Sequence, residues 1–288
     1  MTKLALIVLL AACERSAPPS TPAPVPAPKR DVAKVPVDLP VVTKLGYAEI
    51  SGDDHAMTVV ATPSALSVEG KAIASIRNGA FDPAELEGGA LGIKLPRLTD
   101  FTAAFVQASP TTTRARLMLD AATPYRVLFS IMYSMKPTLT RFDLVARVGE
   151  DLVTCPVVLP ERKQVSSGVD LDQQIRDVRD GKPVPPPTNV SLKLWVSVTA
   201  TEVLVWSVSG LEGTLKTPAS KLPLTSPSLV TDLRKVLADI AQRHADRDLV
   251  IQADGAVPLQ RIAEILGAVR ATPTGAPMFV DVVFATGF

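Results

Sequence analysis

Residues 248–284 read DLVIQADGAVPLQRIAEILGAVRATPTGAPMFVDVVF, and this stretch determines the predicted fold. Its first six residues form a short apolar run that is typical of a buried strand. The turn that starts at Asp254 leads to Pro258, which suits the first position of a helix because its missing N–H leaves no hydrogen bond unmade there. The helix after it carries an apolar face, formed by Ile262, Ile265, Leu266 and Val269. Prolines 273 and 277 then end the helix before a last strand at 278–284, so the stretch predicts a strand–helix–strand unit.

The same pattern occurs earlier in the chain. Asp120 and Pro124 repeat the Asp-x-x-x-Pro spacing of Asp254 and Pro258, offset by 134 residues (254 minus 120). Two further segments match in the same order, each at an offset of 137: residues 59–68 with 196–205, and 141–146 with 278–283. Three ordered matches at nearly equal offsets predict an internal duplication.

Each copy is predicted to contain two helices on one face of a small sheet. In the second copy, residues 192–198 and 203–208 are rich in β-branched residues and indicate strands, and a helix is expected over 228–244 after cap candidates at 226–228. In the first copy, Thr123 is the expected cap and Pro124 the first-turn residue. The predicted fold class is therefore α+β, with two tandem two-layer sandwiches at residues 42–160 and 191–288, each a small mixed sheet with two helices on one face.

The start of the chain resembles a bacterial lipoprotein signal. The apolar run 4–12 has nine residues, whereas a membrane-spanning helix needs about 20. It closes on Leu10-Ala11-Ala12-Cys13, which resembles a lipobox; the resemblance implies a signal peptide at 1–12 and lipidation of Cys13. The alternative is an ordinary signal peptide with an unrelated cysteine. By similarity to the enterobacterial sorting pattern, Glu14 favours the outer membrane over the inner.

Two proline-rich segments are predicted to lie outside the folded modules, the first as a disordered tether and the second as a flexible linker. Of the 26 prolines in the chain, many lie in 13–41 and in 161–190. Such composition lacks the apolar side chains needed for a core. We expect 13–41 to tether the modules to the membrane and 161–190 to link them, either packed together or apart.

The composition allows a folded core and argues against nucleic-acid binding. The chain has 288 residues, 47% hydrophobic, so it can bury a substantial core. Lys and Arg number 30 against 29 Asp and Glu, a balance without the basic footprint of nucleic-acid binding. With Cys13 lipidated, Cys155 would be left without a disulfide partner, and its apolar neighbours predict a small buried hydrophobic residue.

The repeated pattern resembles the periplasmic part of the ExbD/TolR biopolymer-transport family. The resemblance is carried by the apolar strand that ends in Ala253-Asp254, by Pro258 with its helix, and by the final strand; it covers most of 191–288, and 42–160 more faintly. It implies modules that dimerise and contact peptidoglycan or partner proteins, including ExbB/TolQ-type proton channels. Family members also carry a transmembrane helix with a proton-conducting aspartate, whereas the nine-residue run here contains no carboxylate. We therefore expect a protein that does not conduct protons, and whose two modules form a pseudo-dimer within one chain.

No motif for catalysis, metal binding or a cofactor is found: GxSxG, P-loop, GxGxxG and HExxH patterns are absent from the sequence. Asp120 and Asp254 are interpreted as structural turn residues, with a ligand or general-base role as the alternative. His55, beside Asp53 and Asp54, lacks a spaced partner for a metal site and predicts a solvated loop. His244 is expected at a helix C-terminus, where a cation suits the helix dipole.

The sequence therefore predicts a non-enzymatic, lipid-anchored envelope protein with no catalytic residues, metal or cofactor. Its modules would lie in the periplasm and bind envelope proteins or peptidoglycan, with a sheet edge as the contact. One alternative is a small-ligand binder or enzyme that uses the 70–97 loop and Asp120; another is a structural spacer. Trp195 and Trp206 are expected in the core, with an exposed binding role as the alternative.

Overall fold

The computed structural model describes residues 37–50, 55–160, 192–246 and 248–286. The predicted signal peptide, Cys13 and its lipidation, most of the tether and the linker lie outside these residues. All of these described residues belong to one compact unit that contains both copies.

The first copy contains eight strands and two α-helices among the described residues. Its strands are β1 (Ala48–Glu49), β2 (Ala56–Ala61), β3 (Ala65–Val68), β4 (Lys71–Arg77), β5 (Ala80–Phe81), β6 (Arg114–Leu119), β7 (Arg141–Val148) and β8 (Asp151–Val158). Its helices are α1 (Pro96–Ala108) and α2 (Tyr125–Met135), and two short 3-10 helices lie at Pro83–Glu85 and Gly89–Leu91. The predicted 70–97 loop is thus only partly a loop, because its first residues form β4.

The second copy contributes five strands and two α-helices within its described residues. The strands are β9 (Leu194–Val198), β10 (Glu202–Ser207), β11 (Ser220–Pro223), β12 (Asp248–Ala253) and β13 (Asp281–Thr286). The helices are α3 (Leu229–Arg243) and α4 (Leu259–Arg270). The predicted strands and helices of this copy are therefore present, with ends that match or are shifted by up to three residues.

The strands of both copies form one mixed sheet, so the protein is a mixed α/β structure. Across the described residues the strand order is β11-β10-β9-β12-β13-β8-β7-β6-β2-β3-β4-β5, and β1 pairs beside β8. The expectation of two separate sandwiches is corrected here, because β13 runs parallel to β8 and pairs with it at Val283 and Val158.

The order of the strands shows the internal duplication. The series β4-β3-β2-β6-β7 in the first copy corresponds to β11-β10-β9-β12-β13 in the second, and β8 lies between the two series. In the sheet, Arg114 is paired with Arg141 and Asp248 with Asp281. The last strands are therefore equivalent at an offset of 140 (281 minus 141), three residues more than the sequence match predicted.

The four α-helices pack against one face of the sheet in a single hydrophobic core that spans both copies. On the opposite face a smaller cluster forms where Leu39 packs against Met118 and Val145. Leu39 is only 3% exposed, so the folded part begins before residue 42 and includes residues that we assigned to the tether. The last residues of this segment alternate between apolar and other side chains, so that Leu39 can cover a sheet face that would otherwise be exposed. Its burial there is favourable because it removes apolar surface from water.

The segment after Leu39 crosses between the copies. The Tyr47 hydroxyl donates a hydrogen bond of 2.7 Å to the carbonyl of Ala263 in α4. Gly46, at φ 85°, approaches the same helix so closely that a Cβ there would lie 2.8 Å from the carbonyl oxygen of Gly267. This turn therefore requires glycine, both for its backbone angle and for space.

Among the described residues, no helix has both the length and the apolar character needed to span a bilayer.

Candidate functional site

The two Asp-x-x-x-Pro turns contact each other directly. Pro124 and Pro258 form an antiparallel bridge. The Tyr125 N–H donates to the Val257 carbonyl at 2.8 Å, and the Leu259 N–H donates to the Thr123 carbonyl, also at 2.8 Å. Adding 134 to the donor Tyr125 gives Leu259, and subtracting 134 from its acceptor Val257 gives Thr123. The two bonds are therefore equivalent in the two copies, and the contact is pseudo-symmetric.

A second reciprocal pair completes this contact. The Arg126 N–H donates to the Gly255 carbonyl at 3.0 Å, and the Gln260 N–H donates to the Ala121 carbonyl at 2.9 Å. The first N–H groups of a helix have no acceptor within the helix. Each copy therefore supplies the acceptors for the other copy's helix, α2 or α4.

The predicted cap and first-turn residues are placed one position differently. Pro124 and Pro258 occupy the cap positions, and the helices start at Tyr125 and Leu259. Thr123 does not cap α2: its buried hydroxyl has no hydrogen-bond partner within the described residues. The sequence could not reveal this, because the acceptors for each helix start lie in the other copy, 129 to 139 positions away (255 minus 126, and 260 minus 121).

Asp120 and Asp254 bond to backbone N–H groups, but to different ones. The Asp120 carboxylate accepts a hydrogen bond of 2.9 Å from the Ala122 N–H, within its own turn. The Asp254 carboxylate accepts from the Ala200 N–H at 2.9 Å, across to the preceding hairpin. In both places the carboxylate binds a main-chain N–H group, two residues away for Asp120 and 54 residues away for Asp254.

Tyr125 joins the two copies through its side chain. It is fully buried, and its ring packs edge-on against Phe284 of β13 with 5.8 Å between the centroids. Its hydroxyl donates to the Ala285 carbonyl at 2.8 Å. Desolvation by burial raises the pKa of Tyr125, so the hydroxyl stays protonated and keeps donating.

Trp195 and Trp206 lie on the sheet face opposite the helices, which corrects the expectation that they fill the core. Their neighbours Val196 and Val205 point into the helix-side core, and side chains alternate along a strand. The two rings are stacked with 5.4 Å between the centroids, and the Trp206 indole N–H donates to the Ser197 hydroxyl at 2.9 Å. Both rings are half-buried.

This face of the second copy, which we call the open face, carries a groove of about 690 Å³. Trp195, Val208, Val250 and Val283 contribute apolar atoms to the groove. Val208 is 55% exposed, and Val250 and Val283 are half-buried. In the first copy the corresponding face is covered by Leu39 and its neighbours. The open face is therefore an apolar surface of the sheet that remains accessible in the second copy.

Cys155 is buried on the helix side of β8, as its apolar neighbours predict. Burial raises the pKa of its thiol to about 12, against a smaller opposing effect of Arg270. Arg270, at the end of α4, donates to the carbonyl of Pro156 in β8. The thiol is thus a packed, protonated group at the junction between the copies.

A charged cluster that sequence reasoning did not identify lies at the end of α3. The Glu212 carboxylate accepts hydrogen bonds from the Arg243 side chain at 2.8 and 3.1 Å and lies 2.7 Å from His244 Nε2. Desolvation pushes the pKa of Glu212 upward, but the bonds from His244 and Arg243 outweigh it and lower the pKa. His244 does follow the helix C-terminus, as predicted, but its contact is with this carboxylate.

The remaining sequence candidates are not brought together. His55 lies in an exposed turn before β2, and Asp53 and Asp54 lie outside the described residues. Within the part of the chain that the structure describes, no group of three or more His, Cys, Asp or Glu residues has metal-binding geometry.

The 70–97 region encloses a cavity of about 600 Å³ against the first turns of α2. Asp120 does not line it, so the structure does not combine the two elements on which the alternative small-ligand hypothesis depended.

Comparison with protein-family models, with curated proteins and with solved structures finds no match to this chain. The function must therefore be inferred from the geometry of the chain itself.

Proposed function

We propose that this protein is a non-enzymatic cell-envelope lipoprotein whose duplicated ExbD/TolR-like modules bind an envelope partner. In this proposal Cys13 carries the lipid, the modules lie in the periplasm, and the outer membrane is the anchoring membrane. The protein acts as an accessory to biopolymer transport or membrane energisation and does not itself conduct protons. In support of this proposal, each copy contributes two α-helices to one face of the joined sheet.

The observation that carries the binding proposal is the open face of the second copy. A stacked Trp195–Trp206 pair beside Val208, Val250 and Val283 gives an apolar surface next to solvent. Exposed apolar surfaces of this kind mark interaction sites, since their burial against a partner is favourable. Tryptophan is also among the residues that contribute most to the binding energy of interfaces.

The partner classes are an ExbB/TolQ-type channel or ExbD/TolR-like subunit on one hand, and peptidoglycan on the other. The valines around the tryptophan pair favour a protein partner, because a glycan offers little apolar surface to cover them. Main-chain pairing at the outer edge of β11 would extend the same contact, since β11 ends the sheet on that side.

The test uses the full-length lipoprotein solubilised in detergent. It is offered purified peptidoglycan in one arm and envelope membranes in the other, with bound proteins identified by mass spectrometry. Val250→Lys places a charge in the open face and should reduce capture about tenfold or more. Val41→Lys is the matched control, because Val41 is 51% exposed and does not line the groove of the open face.

Capture of a channel-type or ExbD/TolR-like subunit that is lost only with Val250→Lys would support the proposal. Capture of peptidoglycan with the same dependence would support the cell-wall form of it. Equal capture by wild type and both variants, or capture of neither class of partner, would defeat it.

We further propose that the two copies act as a dimer within one chain. The four reciprocal hydrogen bonds at Pro124 and Pro258 support this, because each copy satisfies the helix start of the other. The purified chain should then be a monomer by size-exclusion chromatography with light scattering. An obligate dimer would contradict the idea, since the contact would already be complete within each chain.

A further inference from the structure

The cavity in the first copy is built by three neighbouring elements. The β4–β5 hairpin forms one wall, the two 3-10 helices at Pro83–Glu85 and Gly89–Leu91 form another, and the first two turns of α2 close it. Its volume of about 600 Å³ lies within the range of small-molecule sites, roughly 300–1,000 Å³. In the second copy, the equivalent connection runs from β11 to α3, covers only residues 224–228 and contains neither a strand nor a 3-10 helix. The cavity is thus an elaboration of one copy.

Its walls are mainly apolar. Phe81 is 5% exposed and Val127 is fully buried, so both are fixed in the core behind the cavity. Leu86 and Ile93 are half-buried and line it from the 3-10 helices. Leu91, at the rim, is 96% exposed. Leu91 therefore adds an accessible apolar side chain at the rim.

The frame of the cavity is held by close internal bonds. Glu87 forms an ion pair of 2.6 Å with Lys94, and its N–H donates to the Lys94 carbonyl at 2.8 Å. Gly92 lies inside this closed loop, where a Cβ would come within 2.2 Å of the Glu87 carbonyl oxygen. The hairpin turn at Asn78 and Gly79 has positive φ at both residues, as a tight two-residue hairpin requires.

The acidic side chains around the cavity are engaged elsewhere. Asp82 accepts a hydrogen bond of 2.9 Å from the Ala84 N–H, and Glu85 accepts one of 3.1 Å from the Ser75 N–H. The two cations of the cavity, Arg77 and Arg126, make no hydrogen bond or ion pair through their side chains with any residue that the structure describes. The cavity therefore presents two guanidinium groups that are not paired with the carboxylate of Asp82, the acidic residue among those that line it.

The position of each arginine is fixed by its backbone. Arg77 is paired with Ala80 in the hairpin, and Arg126 is held in the first turn of α2, where its N–H donates to Gly255. Guanidinium groups bind carboxylates through two parallel hydrogen bonds, which adds geometric selectivity to the charge attraction. The apolar walls select a ligand whose carboxylate is attached to an apolar body.

The strand β5 adds a further recognition element. It is the last strand of the sheet on this side and pairs only with β4 in the strand order, and both of its residues line the cavity. Its outer main-chain groups are thus placed to pair with an extended peptide.

We infer that this cavity binds the C-terminal carboxylate of a short apolar peptide, with Arg77 and Arg126 on the carboxylate and Phe81, Ile93 and Leu91 around the last side chains. The inference does not depend on the function proposed for the open face, which lies in the other copy.

The experiment titrates the full chain with acetylated tetrapeptides that end in two apolar residues, offered as an equimolar mixture, and measures binding by calorimetry. The same mixture with amidated C-termini, octanoate and inorganic phosphate form the comparison arms. We expect the free carboxylate to bind about tenfold or more tightly than the amide, because a charged hydrogen-bonding group is lost. Arg126→Gln and Arg77→Gln should each weaken the peptide by a similar factor.

Arg97→Gln is the matched control, because Arg97 is also an exposed arginine in the first turn of a helix, α1, but does not line the cavity. Circular dichroism melting curves check that each variant is folded. Binding that is lost with Arg126→Gln and kept with Arg97→Gln would support the inference. Equal affinity for the amide, equal or tighter binding of octanoate or phosphate, or no binding of the peptide mixture would overturn it.

Discussion

The Tyr125 hydroxyl of the first copy donates a hydrogen bond of 2.8 Å to the Ala285 carbonyl in the last strand of the second copy. Tyr125 also follows Pro124, whose bridge to Pro258 brings the two helix starts together. A single buried residue therefore takes part in two of the contacts that join the copies. The junction is consequently the place where substitutions should affect both copies at once.

Tyr125→Phe should lower the free energy of unfolding by about 1–2 kcal/mol, because it removes a buried hydrogen bond and leaves the ring packing in place. Tyr125→Ala should cost about 3–5 kcal/mol, because it also removes the contact with Phe284. Urea denaturation measures both values. Tyr133→Phe is the control: Tyr133 is 39% exposed, and we expect a change of less than about 0.5 kcal/mol. Equal effects of the two Tyr→Phe changes would contradict the anchoring role.

Gly46→Ala should destabilise the fold more than Gly70→Ala. Both glycines have positive φ, 85° and 76°, so alanine is strained at either position by about 1–2 kcal/mol. At Gly46 the new Cβ would also press on the Gly267 carbonyl at 2.8 Å, whereas nothing lies within 4 Å at Gly70. Overpacking of this kind costs about 1–3 kcal/mol more. The difference between the two unfolding free energies isolates the crowding, and a difference near zero would show that the turn can move away from α4.

Cys155 should be unreactive in the folded protein and should make the fold sensitive to alkali. Burial raises the pKa of its thiol to about 12, above an ordinary value of about 8.5. A raised folded-state pKa contributes stability that is present below the unfolded value and is lost as pH rises towards the folded one. We expect slow alkylation at pH 8, fast alkylation in urea, and a stability that falls between about pH 8.5 and 12.

Peptide mapping assigns the alkylation to Cys155, and Cys155→Ala should reduce the alkaline decline. Burial also raises the pKa of Tyr47 and Tyr125, so the variant should keep part of that decline. Rapid alkylation of Cys155 in the native protein would show that the β8 junction opens readily.

Glu212→Gln should destabilise the protein at neutral pH, with a cost that shrinks in acid. Hydrogen bonds from His244 and Arg243 lower the pKa of Glu212 despite desolvation. A lowered folded-state pKa contributes stability above the unfolded value, about 4.3, and that stability is lost as pH falls through the folded one. Thermal melting at pH 7 and at pH 3 measures the change.

Glu202→Gln provides the comparison, because Glu202 is exposed on β10. Its substitution should leave the melting temperature nearly unchanged at either pH. If Glu212→Gln has the same cost at pH 3 as at pH 7, the cluster does not stabilise the loop through its charge.

The amino-acid sequence alone was enough to predict the duplication, the strand–helix–strand unit around Asp254 and Pro258, and the buried state of Cys155. These features depend on neighbours within a few residues or on a repeated spacing, and both can be read along the chain. The helix over 228–244 is a clear case, since its apolar stripe fixes its buried face and the structure has Leu229–Arg243.

Tertiary structure alone decided how the copies join and which surfaces remain open. An apolar strand such as β8 can pair at either edge. Its own residues do not determine that its neighbours are β7 of the same copy and β13 of the other copy. For the same reason Trp195 was expected in the core: alternation sets which side chains share a face, but not which face receives the helices. The acceptors that start α2 and α4, and the grouping of Arg77 with Arg126, likewise involve residues far apart in the chain, so only the folded arrangement brings them together.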